Sequence, residues 1–244
     1  LQAIHSGTAG SINIETNGTI TAGDDGIKAN STNAANSSNV TVKSNNTIDA
    51  TDRGIEATSA GAGAIAVTTG AAGVITGKGN YGIFAQNTLA GNSGAITVTQ
   101  GANIGATGAG NGVAVAGIWA EVTQATNNAA VNVISNGDIY VDAGGTHGIF
   151  AGTAGLGNVT VTALSAKTID PANCGIEAKG AGGNVQIDTT DEVIADLTGL
   201  KATTSGTGTV KVYVKANTGT GITGTATNGI EAATTGTGNV SVGD

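Results

Sequence analysis

Residues that could act as catalytic groups are few in this chain and lie far apart. The two histidines, His5 and His147, lie five coils apart in a repeat described below, so they cannot share a site. Ser93 lies in a glycine-flanked loop where a nucleophile could stand, but the sequence places no His or Asp to activate it. Spacings of Cys and His that are typical of metal sites are missing. We therefore expect no catalytic residues, no cofactor and no enzymatic activity.

Acidic residues near the start of the chain offer a second kind of chemistry. Asp24 and Asp25 precede one repeat, whereas Asp49, Asp52 and the only arginine, Arg53, precede the next. Because carboxylates are the ligands that Ca²⁺ prefers, the four aspartates are weak candidates for a Ca²⁺ site. The repeat would also place Asp25 above Arg53, a corner that a polysaccharide-active enzyme could use. The simpler interpretation is an exposed ion pair, worth less than about 1 kcal/mol.

Half of the six aromatic residues occupy the same place in three successive copies of a short motif. Phe84, Trp119 and Phe150 are each the third residue of a Gly-Ile-x-Ala tetrapeptide, and Tyr81 and His147 precede the glycine of two copies. Exposed aromatic rings in a row can stack on sugar rings or receive apolar side chains of a protein. These five residues are our candidate partner-binding residues. Alternatively, loops cover the rings as a small satellite core, or the rings form a ladder that only stabilises the fold.

The tetrapeptide recurs along the whole chain, with a first copy at Leu1 that lacks its glycine. The complete copies begin at Gly26, Gly54, Gly82, Gly117, Gly148, Gly175, Gly199 and Gly229. The span from Gly26 to Gly229 covers seven intervals, which average 29 residues.

Each repeat carries further apolar patterns with a period of two. An apolar-x-apolar pair follows every copy: Ile12/Ile14, Val40/Val42, Ile65/Val67, Ile96/Val98, Val131/Val133, Val159/Val161, Val185/Ile187, Val210/Val212 and Val240/Val242. An isoleucine then opens a third pattern, at Ile20, Ile48, Ile75, Ile104, Ile139, Ile169, Ile194 and Ile222. Alternation of this kind, rich in β-branched residues and bounded by Gly, Asn and Asp, predicts short strands with one buried face.

Three short strands in each repeat of about 29 residues predict an all-β fold, the right-handed parallel β-helix. We expect about nine coils, which start near residues 1, 26, 54, 82, 117, 148, 175, 199 and 229, within a single segment that spans residues 1–244. Helix should be essentially absent, because Gly and β-branched residues are poor helix formers. The glycine of each tetrapeptide should mark a turn, through positive φ or close backbone approach. The third residue should face outward.

Composition excludes several classes of partner. The chain contains 9 Lys and Arg against 17 Asp and Glu, so its net charge is −8. Such a chain has no positively charged patch that would bind nucleic acid and no basic cluster that would bind anionic membranes. It also has no apolar run long enough to insert into a membrane. Cys174 is the only cysteine, so no internal disulfide can form.

The repeat style resembles that of passenger domains of bacterial type V autotransporters. The resemblance rests on runs such as Gly148-Ile149-Phe150-Ala151 followed by Gly157-Asn158-Val159-Thr160-Val161, and it covers the whole chain. It implies a β-helical segment of a longer passenger, which a C-terminal outer-membrane β-barrel would export. It also implies an extracellular location, either secreted or displayed on the bacterial surface. Two-partner-secreted haemagglutinin-like proteins are the nearest alternative.

From these observations we expect a non-enzymatic adhesin or a virulence-type protein that binds a host receptor. The aromatic strip and the adjacent loops, residues 30–39, 86–93 and 121–130, would contact a host cell-surface protein or a glycan. Two alternatives stay open: a polysaccharide-active enzyme that uses the acidic corner, and a passive stalk that only spaces another domain.

Overall fold

The structure is a computed structural model that describes residues 1–108, 110–215 and 221–243. All regular elements of these residues are strands, and every pairing between them is parallel. The strands form three sheets, which we call sheets A, B and C.

Sheets A and B each contain nine strands. Those of sheet A are β1 (Gln2–His5), β4 (Ile27–Ser31), β7 (Ile55–Ser59), β10 (Tyr81–Asn87), β13 (Ala116–Val122), β16 (His147–Thr153), β19 (Cys174–Gly180), β22 (Thr198–Thr204) and β25 (Ile230–Thr234). Those of sheet B are β2 (Ile12–Thr16), β5 (Val40–Ser44), β8 (Ile65–Thr69), β11 (Ile96–Gln100), β14 (Val131–Ser135), β17 (Val159–Ala163), β20 (Val185–Thr189), β23 (Val210–Val214) and β26 (Val240–Gly243).

Sheet C contains eight shorter strands. They are β3 (Ile20–Ala22), β6 (Ile48–Ala50), β9 (Val74–Gly77), β12 (Asn103–Ile104), β15 (Ile139–Tyr140), β18 (Thr168–Asp170), β21 (Glu192–Ala195) and β24 (Ile222–Gly224). The chain visits sheets A, B and C in turn, and each strand pairs with the strand three places further along. The fold is therefore a right-handed parallel β-helix, as the sequence predicts, with three strands per coil and eight complete coils among the described residues.

The tetrapeptides lie in register in sheet A. Their second residues form a buried column of isoleucines that ends in Leu200, and their fourth residues form a buried column of alanines. Both columns are completely buried from coil 2 to coil 8. The apolar pairs of sheet B form two further columns, so the core is a stack of like residues rather than a thick mixed interior.

In seven of the eight complete tetrapeptides, all but the one at Gly229, the glycine is required by close approach and not by its backbone angle. A Cβ atom on Gly117 would lie 2.3 Å from Cγ2 of Ile139 and 2.6 Å from the carbonyl oxygen of Gly148 in the next coil. No tetrapeptide glycine has a positive φ among the described residues. Of our two explanations for this glycine, close approach is therefore correct and positive φ is wrong.

One predicted core position is wrong by a single residue. In sheet C, Ile169 pairs with Val193, and Val193 in turn pairs with Ile222. Val193 is completely buried, whereas Ile194 points outward and is 39% exposed. Two adjacent β-branched residues leave the alternation ambiguous at this position, and only pairing with the neighbouring coils determines which of them faces inward.

Polar side chains close the core where strands of sheets A and B end. Asn87 is buried and donates to the carbonyl oxygen of Gly61, at 3.0 Å. Gln100 is also buried, and its Oε1 accepts hydrogen bonds from the hydroxyl of Ser135, at 2.7 Å, and from the backbone N–H of Asn136. These groups satisfy backbone donors and acceptors at the corners, where the sheet pairing stops.

Candidate functional site

The aromatic residues lie on the outer face of sheet A, in the order that the repeat predicts. Phe84 is paired with Trp119, and Trp119 is paired with Phe150. A second row runs beside them, in which Tyr81 and His147 flank Ala116. Because coils of a parallel sheet stack about 4.8 Å apart, rings in neighbouring coils must touch. We call Tyr81, Phe84, Trp119, His147 and Phe150 the aromatic cluster.

The rings of the aromatic cluster pack on each other continuously. Trp119 and Phe150 are stacked, with centroids 4.0 Å apart and planes at 21°. Tyr81 lies 5.0 Å from Phe84 and 5.8 Å from Trp119, in tilted arrangements. His147 presents an edge to Trp119 at 5.8 Å and to Phe150 at 5.4 Å. Such offset and edge arrangements are the ones that aromatic pairs prefer.

The rings are partly buried, and Phe150 is only 8% exposed. Of the interpretations that the sequence leaves open, a ring free on the surface does not describe Phe150, whereas a ladder of packed rings does. The remaining four members are half-buried. Trp119 covers one face of the Phe150 ring, and the ring lies over Gly152, where a Cβ atom would be 2.7 Å from Cζ of Phe150. The missing side chain at Gly152 therefore lets this ring fold onto its own strand.

The neighbouring loops bind to each other. Asn127, in the loop after β13, donates to Oδ1 of Asn87 and to Oγ of Ser93 in the loop after β10, at 3.2 and 2.9 Å. Both loops therefore follow the C-terminal ends of β10 and β13, the strands that carry Phe84 and Trp119. The contacts that bury Phe150 come from the sheet itself, from Trp119, His147 and Gly152.

Polar groups lie beside the rings. Nε1 of Trp119 donates to Oε2 of Glu121 at 3.2 Å, and Nε2 of Gln86 donates to the same oxygen at 3.1 Å. The guanidinium carbon of Arg53 lies 5.2 Å from the centroid of Phe84 and 6.0 Å from that of Tyr81. The aromatic cluster is therefore bordered by the carboxylate of Glu121, the amide of Gln86 and the guanidinium of Arg53. Each of these three groups is held by its own contacts.

Ion pairs border the cluster on the side of the first coils. Lys28 contacts Asp25 at 2.8 Å and Glu56 at 3.3 Å, and Arg53 also pairs with Glu56. The expected pairing of Asp25 with Arg53 is therefore wrong. Glu56 is the next residue after Lys28 in the outward row, so it lies within reach of both cations and attracts Arg53.

The four candidate Ca²⁺ ligands do not form one group. Carboxylate oxygens of Asp24, Asp25 and Asp52 lie within 4.8 Å of one another. Asp49 instead accepts hydrogen bonds from Lys78, at 2.7 Å, and from Thr76. Those two hydrogen bonds lower the pKa of the Asp49 carboxyl, and the charge of Lys78 adds to the effect.

The isolated candidates for catalysis have structural partners. Oγ of Ser93 donates to the carbonyl oxygen of Gly94 at 3.1 Å and to Oδ1 of Asn127 at 3.3 Å. Nδ1 of His5 lies 3.2 Å from Nδ2 of Asn36. Neither residue has an arrangement that would activate a nucleophile.

A second cluster, which we did not predict from the sequence, borders the aromatic rings on the side of the later coils. Nε2 of His147 lies 2.8 Å from Oε2 of Glu177, while Nζ of Lys201 lies 3.4 Å from Oε1. Cys174 joins them as the partner of His147 in the sheet. A signal was present, because Cys174 precedes Gly175 as His147 precedes Gly148. We call His147, Cys174 and Glu177 the His–Cys–Glu cluster.

Burial and neighbouring charges act on the Cys174 thiol and on the Glu177 carboxyl with opposite results. Desolvation, reinforced by the charge of Glu177, raises the pKa of the Cys174 thiol to about 12. This thiol is therefore protonated near neutral pH and is a poor nucleophile. Desolvation alone would raise the pKa of Glu177, but the hydrogen bond from His147 and the charge of Lys201 outweigh it, and the pKa of this carboxyl is lowered. Glu177 is thus an anion at neutral pH.

Fold and site together define a parallel β-solenoid with a half-buried aromatic cluster on one outer face. Comparisons with protein-family models, with curated proteins and with solved structures give no match to this chain. Among the described residues no helix is long and apolar enough to span a membrane.

Proposed function

We propose that this chain is a non-enzymatic binding protein of the autotransporter-passenger type, which is secreted or displayed on the cell surface. Its partner would be a host cell-surface protein or a glycan, bound as an adhesin or a receptor-binding protein binds. The family resemblance of the repeats supports the extracellular location. The observation that carries the binding role is the aromatic cluster.

The half-buried rings suit recognition for a physical reason. Phe84 is held by its contact with Tyr81, and Trp119 is held by ring contacts and by its hydrogen bond to Glu121, so both lose little freedom when a partner binds. A partly exposed ring beside a carboxylate, an amide and a guanidinium offers both an apolar surface and directional hydrogen bonds. Sites for sugars and for protein hot spots combine these two features.

The passive stalk is the second candidate, and the burial of Phe150 favours it. A ring that is 8% exposed and stacked on Trp119 stabilises the coils whether or not a partner binds. The acidic corner offers less to the enzymatic alternative, because Asp25 and Arg53 are each engaged in an ion pair with another residue.

The binding role is tested by removing the most central ring. We expect Trp119→Ala to reduce binding to a glycan array, or to biotinylated host-cell surface proteins, by at least about tenfold, as loss of a hot-spot aromatic does. Ile134→Ala is the matched control, because Ile134 is an apolar residue that is 37% exposed on sheet B.

Two further measurements keep this result interpretable. Circular dichroism and the urea midpoint of Trp119→Ala establish that the solenoid is intact, and Trp119→Phe should restore part of the binding because it keeps a ring. Equal binding by the wild type and a folded Trp119→Ala protein would favour the stalk.

A further inference from the structure

Three side chains with different ligand atoms converge at the border of the aromatic cluster. One ring nitrogen of His147, Sγ of Cys174 and one carboxylate oxygen of Glu177 lie within 4.8 Å of one another. Ligands around a tetrahedral zinc ion are roughly 3.5 Å apart, given bond lengths of about 2.0 to 2.3 Å. Small side-chain rotations would therefore bring these three atoms onto one ion.

The sheet register holds the three residues together. His147 and Cys174 are direct neighbours on β16 and β19, and Glu177 lies three residues beyond Cys174 on the same strand. Cys174 is only 8% exposed. The side chains of His147 and Glu177 are 16% and 12% exposed. Ligands on paired strands are placed more precisely than ligands on loops, which favours binding without reorganisation of the backbone.

Two of these groups have bonding capacity that the protein leaves unused. Nδ1 of His147 is buried and has no hydrogen-bond partner among the described residues. Its Nε2 lies 2.8 Å from Oε2 of Glu177, and in the tautomer that donates this hydrogen bond Nδ1 keeps a lone pair. Cys174 is a free, buried thiol. A buried acceptor without a partner is costly unless something binds it.

The geometry points to a site for a zinc-type divalent transition metal ion, bound by His147, Cys174 and Glu177. Thiolate, imidazole and carboxylate are the three ligand classes that Zn²⁺ uses in proteins. Although both oxygens of Glu177 already have a partner, a carboxylate has about four acceptor positions and can add an ion.

The fourth coordination position would open toward solvent. A cavity of about 330 Å³ is lined by the three ligands together with Thr146, Asn173, Leu197, Thr198 and Lys201. This volume admits water or a small anion as the fourth ligand. Lys201 disfavours a cation here, but its charge is already paired with the Glu177 carboxylate, at 3.4 Å.

Binding must deprotonate the thiol, and this provides a specific signature. The thiol loses its proton to solvent as the sulfur forms its bond to the ion, and no electron transfer is involved. Binding near neutral pH should therefore release about one proton per ion and should weaken as the pH falls.

The test is calorimetric titration of the whole chain with Zn²⁺ in excess Ca²⁺, which occupies acidic sites elsewhere. We expect one ion per chain, with a heat that varies with the ionisation enthalpy of the buffer as release of about one proton requires. With Co²⁺ as the probe, a thiolate-to-metal charge-transfer band should appear in the near ultraviolet.

Variants separate this site from adventitious binding. Cys174→Ser should abolish the Co²⁺ charge-transfer band and should weaken Zn²⁺ binding by more than about tenfold, and His147→Gln should weaken it similarly. His5→Gln, which removes the other histidine, should change neither. If wild-type protein binds no Zn²⁺, or if it binds Co²⁺ without a thiolate band, the site does not exist. That conclusion needs no variant, so it holds even if Cys174→Ser folds poorly.

Discussion

Close stacking of the coils depends on the glycine at the start of seven of the eight complete tetrapeptides. The Cβ positions of Gly26, Gly54, Gly82, Gly117, Gly148, Gly175 and Gly199 would all lie within 2.7 Å of both an apolar side chain and the carbonyl oxygen of the following glycine. Real Cβ contacts are longer than this, so any larger residue must push two coils apart.

We predict that Gly117→Ala destabilises the protein by about 1–3 kcal/mol, or more, because overpacking of a rigid interior has this cost. Gly229→Ala is the matched control. Its Cβ would meet only the carbonyl oxygen of Ile222, at 3.6 Å, which is ordinary van der Waals contact. Urea unfolding followed by circular dichroism measures both. Equal midpoints for the two variants would contradict the role of close approach.

Individual residues also show which buried positions could not be predicted from the sequence. The period-two pattern identifies most of the buried apolar residues, because one face of each strand must be covered. It fails at Ile194, where Val193 is buried instead, since two adjacent β-branched residues satisfy the pattern equally well. It also gives no sign that Asn87 and Gln100 are buried, because their burial depends on hydrogen bonds at corners that the pattern does not describe.

At the scale of elements, the outer face of sheet A combines support and recognition. Register alone places Phe84, Trp119 and Phe150 in a row, and this part was predictable. Their exposure was not, because it depends on which way each ring turns. Phe150 turns onto Gly152, and Trp119 then stacks on it. The sequence pattern predicts the direction of each outward side chain separately, whereas the rotamer of each ring depends on the rings in neighbouring coils.

We predict that Trp119 and Phe150 are energetically coupled. A double-mutant cycle of Trp119→Ala and Phe150→Ala, measured by urea unfolding, should give a coupling free energy of about 0.5–1.5 kcal/mol, as stacked rings do. The same cycle with Trp119→Ala and Ile134→Ala should give less than about 0.5 kcal/mol, because Ile134 lies in sheet B. Strict additivity for Trp119 and Phe150 would show that the stacking contributes no stability.

At the scale of the whole molecule, the fold is a stack in which each coil contacts only its neighbours. Gly26 and Gly54 occupy equivalent places, as do Ile27 and Ile55. Stability in such a stack is close to a sum of coil and interface terms. Removal of one complete coil should therefore leave the remaining interfaces intact.

We predict that deletion of residues 26–53, one complete coil, preserves the β-sheet circular dichroism spectrum and cooperative unfolding, with a lower melting temperature. Asp25 would then join Gly54, and each sheet would lose one strand without a change of register. Deletion of residues 40–53 removes strands from sheets B and C only, so it should abolish the cooperative transition. Survival of cooperative unfolding in this second variant would contradict the coil as the unit of stability.

The outward row of sheet A affects which coils stack on each other when the chain folds. The buried columns are nearly identical from coil to coil, so they cannot distinguish a correct neighbour from one that is a coil too far along the chain. The outward row differs between every two neighbouring coils: Lys28, Glu56, Phe84, Trp119, Phe150, Glu177, Lys201 and Glu231. Skipping Lys201 would place Glu177 against Glu231, and like charges on paired strands repel. The buried columns stabilise stacking of any two coils, whereas the charges of this outward row disfavour stacking of coils that are not consecutive in the chain.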